Sequence, residues 1–144
     1  MTFRIAIEEI RSMISDGLNI LGIYELNYDI TQPSRTEFGD VTTNVAFLIG
    51  KITGQKPNVI AENFVASHII PYLEDCKRWG RLSLIESANP HIAGYINFKI
   101  NAATLAASVV TEILTNPAYG HPDIGKGKQV IIEHTSVNPN KALH

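Results

Sequence analysis

Several features that define common classes of protein are scarce in this 144-residue chain. It has a single cysteine, Cys76, so no internal disulfide can form, and no group of cysteines and histidines has the spacing of a zinc site. The formal net charge of −2 excludes a basic arm that would bind any polyanion through bulk charge. No run approaches the ~18 apolar residues of a membrane span, and Glu8 and Glu9 come too early for the apolar core of a signal peptide. The sequence therefore predicts a cytoplasmic protein with no bound metal and no membrane partner.

Signatures of common catalytic sites are missing as well. The chain has no GxxxxGK(S/T) phosphate loop, no GxGxxG, no HExxH and no GxSxG. Its five histidines are scattered, and His68 is interpreted as a packing residue of a helix rather than a ligand. The acid pairs at residues 8–9 and 74–75 fall on predicted helix surfaces and are interpreted as solvated charges. No catalytic site is therefore predicted in the body of the chain.

Helices and strands are both predicted up to about residue 115. Apolar residues recur at helical spacing in four stretches, and three others are typical of strands. The predicted helices cover residues 3–16, 38–54, 57–73 and 102–114, and the predicted strands cover residues 24–30, 82–87 and 92–100. Gly54 is expected to end the second helix, Pro57 to begin the third, and Pro71 to end or bend it. The prediction is an α+β fold, in which a small antiparallel sheet packs with about four helices.

The chain is predicted to divide into three parts. Residues 1–115 form the α+β domain, and residues 116–128 contain two prolines and three glycines with little periodicity, which indicates a linker. Residues 129–144 begin with the apolar run Val130–Ile132, a predicted strand, and continue with a cluster of polar residues. We interpret this last part as the start of a second domain, because α/β enzymes bind nucleotides where strands deliver polar groups to one end of a sheet.

One predicted strand has a side-chain pattern suited to nucleic acid. Tyr95 and Asn97 are two residues apart, so they project from the same side of the strand, while Ile96 and Phe98 project from the other. An aromatic ring can stack on an unstacked base while an amide hydrogen-bonds the edge of that base. The alternative is an ordinary sheet position with Tyr95 half-buried.

A basic segment, Lys77–Arg81, surrounds Trp79 with cations. It is suited to contacting phosphate. The alternative is the end of a helix with solvated charges, which favourably interact with the helix dipole.

The polar residues at 133–144 combine several chemistries. Glu133 can pair bidentately with a guanidinium. Hydroxyl and amide groups at Thr135, Ser136 and Asn138 can hydrogen-bond an ammonium and a carboxylate, and Lys141 and His144 are donors suited to the charge that develops on a phosphate. A simple polar tail is the alternative.

Residues 131–144 closely resemble the segment that leads into the HIGH signature of class I aminoacyl-tRNA synthetases, in the form found in arginyl-tRNA synthetases. That family has the run E-x-(S/T)-S-x-N-x-x-K-x-x-H followed by x-G-H, and His144 matches the first histidine of the signature. Three further segments resemble the N-terminal appended domain of the family in order and spacing. They are Phe38–Asn44, Lys56-Pro57 with residues 60–62, and Gly94–Asn97. The resemblance covers nearly the whole chain.

The resemblance implies that the appended domain binds the elbow of arginine tRNA. In the family, an aromatic and an amide on one strand contact the D-loop base that marks arginine tRNAs, and Tyr95 and Asn97 match those positions. It also implies roles in the active site of the full enzyme, which joins L-arginine to tRNA with magnesium-dependent ATP as a substrate. Glu133, Thr135, Ser136, Asn138 and His144 match groups that bind arginine, and Lys141 and His144 match catalytic groups that serve ATP and the adenylate.

The remainder of the family's catalytic and anticodon-binding regions has no counterpart in these residues. We therefore expect an N-terminal fragment that is inactive alone and binds no cofactor. The full enzyme is expected to be a cytoplasmic monomer. One alternative is a domain that braces the catalytic core without reading a base. Another is a free-standing enzyme that uses residues 133–144.

Overall fold

The computed structural model describes residues 2–121, 125–129 and 131–134 of the chain. Within them a four-stranded antiparallel sheet has the strand order β1-β2-β4-β3. The helices are α1 (Thr2–Ile20), α2 (Val45–Thr53), α3 (Pro57–Phe64), α4 (Ile70–Arg78) and α5 (Ala102–Thr115), and the strands are β1 (Ile30–Thr31), β2 (Val41–Thr43), β3 (Ile85–Pro90) and β4 (Ile96–Ile100). A π-helical turn, Val65–Ile69, joins α3 to α4 without a break, so four helical stretches accompany the sheet in the described residues. The predicted α+β fold is confirmed.

The hydrophobic core lies between one face of the sheet and the helices α1, α3 and α4. Alternate residues of β4 point into it, so that Ile96, Phe98 and Ile100 are buried while Lys99 between them is exposed. Helix α1 contributes Ala6, Ile10, Met13, Ile14 and Leu18, which recur every three or four residues. The opposite face of the sheet carries polar residues. No helix in the described part of the chain is both long enough and apolar enough to cross a membrane.

The segment before α2 corrects one prediction. Residues 38–44 were expected to open a helix, but a short 3-10 turn at Thr36–Phe38 is followed by β2, and α2 begins at Val45. Asp40 bonds to β4 instead of opening a helix: its carboxylate accepts the Ile100 N–H at 2.8 Å, and its own N–H donates to the Phe98 carbonyl at 2.9 Å. The apolar spacing from Val41 onward fits a helix and a buried strand alike, and pairing with β4 decides for the strand.

The strand predicted at residues 24–30 is mostly wrong, because only Ile30 and Thr31 pair with β2. The chain before them is held by side chains instead. Thr43 Oγ1 donates to the Asp29 carbonyl at 2.7 Å, and the Asn44 amide accepts the Asp29 N–H and donates to the Asp29 carboxylate, both at 2.9 Å. These contacts replace the ladder hydrogen bonds that a longer strand would make.

The predictions for the last two strands are confirmed in type and shifted in position. Strand β3 covers Ile85–Pro90 rather than 82–87, and β4 begins at Ile96 rather than 92. The turn between them therefore lies at residues 91–95, where the His91 N–H donates to the Tyr95 carbonyl at 2.8 Å and the Gly94 N–H donates to the His91 carbonyl at 2.7 Å. The helix predicted at 102–114 is confirmed as α5, whose residues are not fully buried.

The helix signals at Gly54 and Pro57 are confirmed, whereas two helices extend further than predicted. Gly54 ends α2 in the left-handed conformation, and Pro57 begins α3. Pro71 does not end the helix, which continues to Arg78, although the π-helical turn lies just before it. The first helix was predicted to end at residue 16, but α1 continues through Gly17 to Ile20. A Cβ at Gly17 would lie 2.5 Å from Cζ of Phe64, so the glycine lets the π-helical region pack closely on α1.

Replacing Gly17 with alanine is expected to destabilise the protein, although alanine is the better helix former by ~1 kcal/mol. The new methyl group would overlap the buried Phe64 ring, and overpacking of this kind costs ~1–3 kcal/mol. Urea unfolding followed by circular dichroism measures the change. Ser12→Ala on an exposed position of α1 is the control, and a higher unfolding midpoint for Gly17→Ala would show that the close approach does not matter.

Replacing Gly94 with alanine is expected to cost more stability than replacing Gly22. Both glycines have positive φ, 94° and 71°, so alanine is strained at both. A Cβ at Gly94 would also lie 2.5 Å from Cβ of Pro57, whereas Gly22 has open space around it. We expect Gly94→Ala to lose ~1–3 kcal/mol beyond the loss in Gly22→Ala, measured by urea unfolding. Equal losses of unfolding free energy in the two variants would mean that Pro57 can move aside at little cost.

Candidate nucleic-acid interface

The face of the sheet opposite the core carries a row of polar residues that crosses all four strands. Thr31 pairs with Thr42, Thr42 pairs with Asn97, and Asn97 pairs with Asn89. These side chains share one face, since directly paired residues in a sheet project to the same side. Lys99 continues this face along β4 and pairs with Ser87. The sheet thus presents hydroxyl, amide and ammonium groups on the side away from the core.

A cleft of about 320 Å³ opens on this face beside the β3–β4 turn. Its volume is in the ~300–1,000 Å³ range of small-ligand sites. Tyr95 and Asn97 both line it, together with Thr42 on the floor and residues 31–34 along one side. Phe38 and His91 complete the wall. The structure therefore brings together the two residues predicted to bind a base.

Tyr95 is 42% exposed at the edge of the cleft. Its ring meets the Phe47 ring of α2 edge to face, with centroids 4.9 Å apart and an interplanar angle of 65°. Gly94, packed against Pro57, fixes the backbone immediately before it. The ring is consequently oriented by its neighbours while much of its surface faces solvent. Such a ring can accept a stacked base without first having to be ordered.

Polar atoms in the cleft are available to a ligand. No group in the described part of the chain hydrogen-bonds the Asn97 amide or the Tyr95 hydroxyl. Outside the exposed residues, every fully buried side-chain nitrogen or oxygen there has a hydrogen-bond partner, so the unpartnered Asn97 amide is reached by solvent. Tyr95 is itself an exposed residue. An amide offers both a donor and an acceptor, which is the combination that the edges of nucleobases present.

Two further residues of the cleft, Phe38 and His91, were not predicted from the sequence. Their rings contact each other edge to face, with centroids 5.1 Å apart. His91 lies in the β3–β4 turn, and its Nδ1 accepts the Ala93 N–H at 3.2 Å. The available signal was the position of His91 in a turn that leads into Tyr95. The contact with Phe38 joins residues far apart in the sequence and has no local signal.

Charges near the cleft are of both signs. Lys99 is exposed on the same face. Glu37, which lines a second depression next to the cleft, pairs with Arg35 at 3.2 Å. Surface pairs of this kind contribute little to stability. With a net charge of −2 over the whole sequence, the cleft has no strong field to attract a polyanion at long range. Recognition here would depend on short-range stacking and hydrogen bonds.

The basic segment Lys77–Arg81 forms the end of α4 and the following turn. Arg78 pairs with Asp75 at 3.5 Å on the surface, and Trp79 is 72% exposed. Arg81 lies over the Tyr72 ring, 5.8 Å from its centroid. Burial and the nearby Glu9 carboxylate raise the pKa of Tyr72 to about 12, and Arg81 opposes the rise. These contacts fit the interpretation as a helix end, with cations near the C-terminus of the helix.

The polar residues predicted for an active site lie at or beyond the last described segment. Glu133 is exposed, and residues 131–134 belong to neither a helix nor a strand, so the strand predicted at Val130–Ile132 is not seen in its described part. A β-strand needs a neighbour to satisfy its backbone, and the described sheet does not extend to these residues. Thr135, Ser136, Asn138, Lys141 and His144 lie outside the described residues. Among the described residues, no group of three acidic, histidine or cysteine side chains is arranged to hold a metal ion.

Comparison with known proteins identifies the family. Residues 8–100 match the model of the arginyl tRNA synthetase N terminal domain. The chain is 37% identical over 139 residues to arginine–tRNA ligase of Thermococcus sibiricus, covering 95% of this chain and 20% of that protein. It is 31% identical over 140 residues to arginine–tRNA ligase of Ruegeria pomeroyi, covering 97% and 22%. The chain thus spans about a fifth of the length of these relatives.

A solved structure shares the fold. The Thermus thermophilus arginyl-tRNA synthetase aligns with a TM-score of 0.55 at 18% identity, over 72% of this chain and 15% of that one. Together with the match over residues 8–100, this accounts for the sheet and the helices that pack on it. The chain belongs to the family of arginyl-tRNA synthetase N-terminal domains.

Proposed function

We propose that this chain is the tRNA-binding N-terminal part of an arginine–tRNA ligase. The observation that carries the proposal is that the Tyr95 ring and the Asn97 amide line the same cleft on the uncovered face of the sheet. The names of the relatives, which are arginine–tRNA ligases, support the choice of arginine tRNA as the partner. The part of the tRNA that would be bound is the D-loop at the elbow.

Base recognition would use the two side chains for different purposes. A D-loop base that leaves the RNA stack would lie against the Tyr95 ring, which faces solvent and is held by Phe47. The Asn97 amide, which has no hydrogen-bond partner in the described residues, would donate to and accept from the edge of that base. Stacking supplies affinity for any base, whereas the amide distinguishes one base from another.

The affinity of the isolated domain should be low. Stacking of one base on an aromatic side chain contributes ~1–3 kcal/mol. A micromolar dissociation constant needs about 8 kcal/mol, and a chain of net charge −2 gains little from nonspecific attraction to phosphates. We therefore expect binding in the micromolar range or weaker. In the complete ligase, contacts elsewhere on the tRNA would add to it through a high effective concentration.

The complete ligase would convert ATP, L-arginine and arginine tRNA to arginyl-tRNA, AMP and diphosphate in the cytoplasm, as a monomer. Glu133 would pair with the arginine guanidinium, while Thr135, Ser136 and Asn138 would hydrogen-bond the main-chain groups of the amino acid. Lys141 and His144 would donate to the phosphates of ATP and of the adenylate, stabilising the charge that develops during transfer. ATP with its magnesium ion is a substrate in this scheme, and the 144-residue chain would need no cofactor.

A second candidate function is to brace the catalytic part of the ligase without reading a base. Helix α5 favours it, because this helix contains no fully buried residue and exposes Val110, Ile113 and Leu114. An apolar helix surface of this kind is typical of a contact with another folded part. The bracing role and base recognition use different surfaces. Substitution in the cleft therefore tests base recognition without disturbing α5.

Replacing Tyr95 with alanine is expected to weaken binding of an arginine tRNA transcript about 5- to 150-fold, which corresponds to the loss of one stacked base. Fluorescence titration of the chain measures the dissociation constant. Tyr24→Ala is the matched control, since Tyr24 is 79% exposed and does not line the cleft. A second transcript, altered at the contacted D-loop base, should bind the original chain more weakly than the unaltered transcript does. Removing the Asn97 amide should not change its affinity further. Equal affinity of Tyr95→Ala and the original chain would refute base stacking and leave the bracing role.

The 144-residue chain alone is expected to show no arginine-dependent exchange of pyrophosphate into ATP. It spans about a fifth of the ligases that it resembles, and most of a nucleotide-binding domain would be needed for this reaction. The assay uses radiolabelled pyrophosphate with ATP, magnesium and arginine. Exchange that requires arginine and is abolished in Glu133→Gln would instead favour a free-standing enzyme.

A further inference from the structure

His91 occupies a fixed position at the mouth of the cleft. Its backbone closes the β3–β4 turn through hydrogen bonds with Gly94 and Tyr95, 2.7 and 2.8 Å long. Its side chain lines both the cleft that contains Tyr95 and Asn97 and the adjoining depression of about 290 Å³ that contains Lys99. The ring therefore stands between these two parts of the open face. A ligand that reached Asn97 would pass close to it.

The hydrogen bond within the turn determines which nitrogen of His91 carries the proton. Nδ1 accepts the Ala93 N–H at 3.2 Å, and an accepting ring nitrogen is not protonated. The neutral ring must then carry its proton on Nε2. The edge-to-face contact with Phe38, 5.1 Å between centroids, holds the ring from the side. Among the described residues, no group accepts a hydrogen bond from Nε2.

We propose that His91 is a specificity-determining residue of this cleft, and that its Nε2–H donates to a ring nitrogen or carbonyl oxygen of the base that stacks on Tyr95. This rests on the proposed function. Unlike the Asn97 amide, which both donates and accepts, the neutral His91 ring offers Nε2 as a donor only. A base with an amino group at that position would place its own donor against the Nε2–H donor of His91, so no hydrogen bond would form between them. His91 thus favours bases with an acceptor at that edge.

Two substitutions separate the nitrogens of the ring. His91→Asn places an amide oxygen near the position of Nδ1, which can keep the bond from the Ala93 N–H, but has no group at Nε2. His91→Gln reaches further and places an amide N–H near the position of Nε2. If Nε2–H contacts the base, His91→Asn should bind arginine tRNA about three- to tenfold more weakly, as expected for one hydrogen bond, and His91→Gln should restore most of the loss. Circular dichroism and the urea midpoint check that both variants fold as the original does.

An abasic arginine tRNA distinguishes contact with the base from contact with a phosphate. The original chain and His91→Asn should bind the transcript that lacks the contacted base equally well. If His91→Asn instead bound both the abasic and the intact transcripts more weakly than the original chain, by the same factor, Nε2–H would be assigned to the RNA backbone. That result would overturn the proposal. Equal binding of His91→Asn and the original chain to the intact tRNA would also overturn it.

The Tyr95→Ala variant shows which of the two proposals fails. A loss of affinity in Tyr95→Ala without a loss in His91→Asn would refute only the role of His91. No loss in either would refute base stacking and, with it, the role of His91. Nitrogen-15 NMR of the imidazole gives an independent reading: the free protein should show the Nε2–H tautomer, and the Nε2 signal should shift on addition of intact tRNA but not of abasic tRNA. A free Nδ1–H tautomer would contradict the geometry on which the proposal depends.

Discussion

The pairing of β2 with β4 is the constraint on which the open face of this domain depends. It begins where Asp40 bonds the backbone of β4 twice, through its carboxylate and through its own N–H. Gly39 permits this, because it has φ of 108° and a Cβ there would lie 2.7 Å from the Phe98 carbonyl oxygen. Once the two strands are joined at this end, their register sets Thr42 opposite Asn97. The floor of the cleft is thus determined by residues that do not line its centre.

The same pairing separates the two faces of the sheet by chemistry. Thr43 is buried on the core side, yet its hydroxyl donates to Asp29 and accepts from the Val45 N–H, so its burial leaves no polar atom unsatisfied. Thr42, the preceding residue, points to the other face and forms the floor of the cleft. Two adjacent threonines therefore serve different surfaces. The apolar core needs no contribution from the cleft, which leaves the cleft side chains free to suit a ligand.

Residue alternation predicted which side chains share the open face of the sheet, because local sequence determines structure there. Ile96, Phe98 and Ile100 are apolar and alternate with Asn97 and Lys99, so the two faces of β4 follow from the sequence alone. Tyr95, the residue just before β4, continues the same alternation. The prediction that a helix opens at residues 38–44 was wrong, because Val41 also fits the apolar stripe of the following helix. Only pairing with the distant strand β4 selects the extended form. His91 was missed for a related reason. Its role depends on a turn bond to Ala93 and on a ring from Phe38, and neither is a sequence pattern.

The edges of the sheet limit how this domain can bind anything. At one edge β1 is only two residues long, and at the other β3 has an irregular register between Ile85 and Ser87 and ends in Pro90, which has no N–H. Such edges resist the addition of a further strand. A peptide would therefore find little backbone with which to pair, and two copies of the domain would not readily join edge to edge. If the proposed function holds, the partner would therefore be recognised by the side chains of the open face and not by pairing with the backbone of an edge strand.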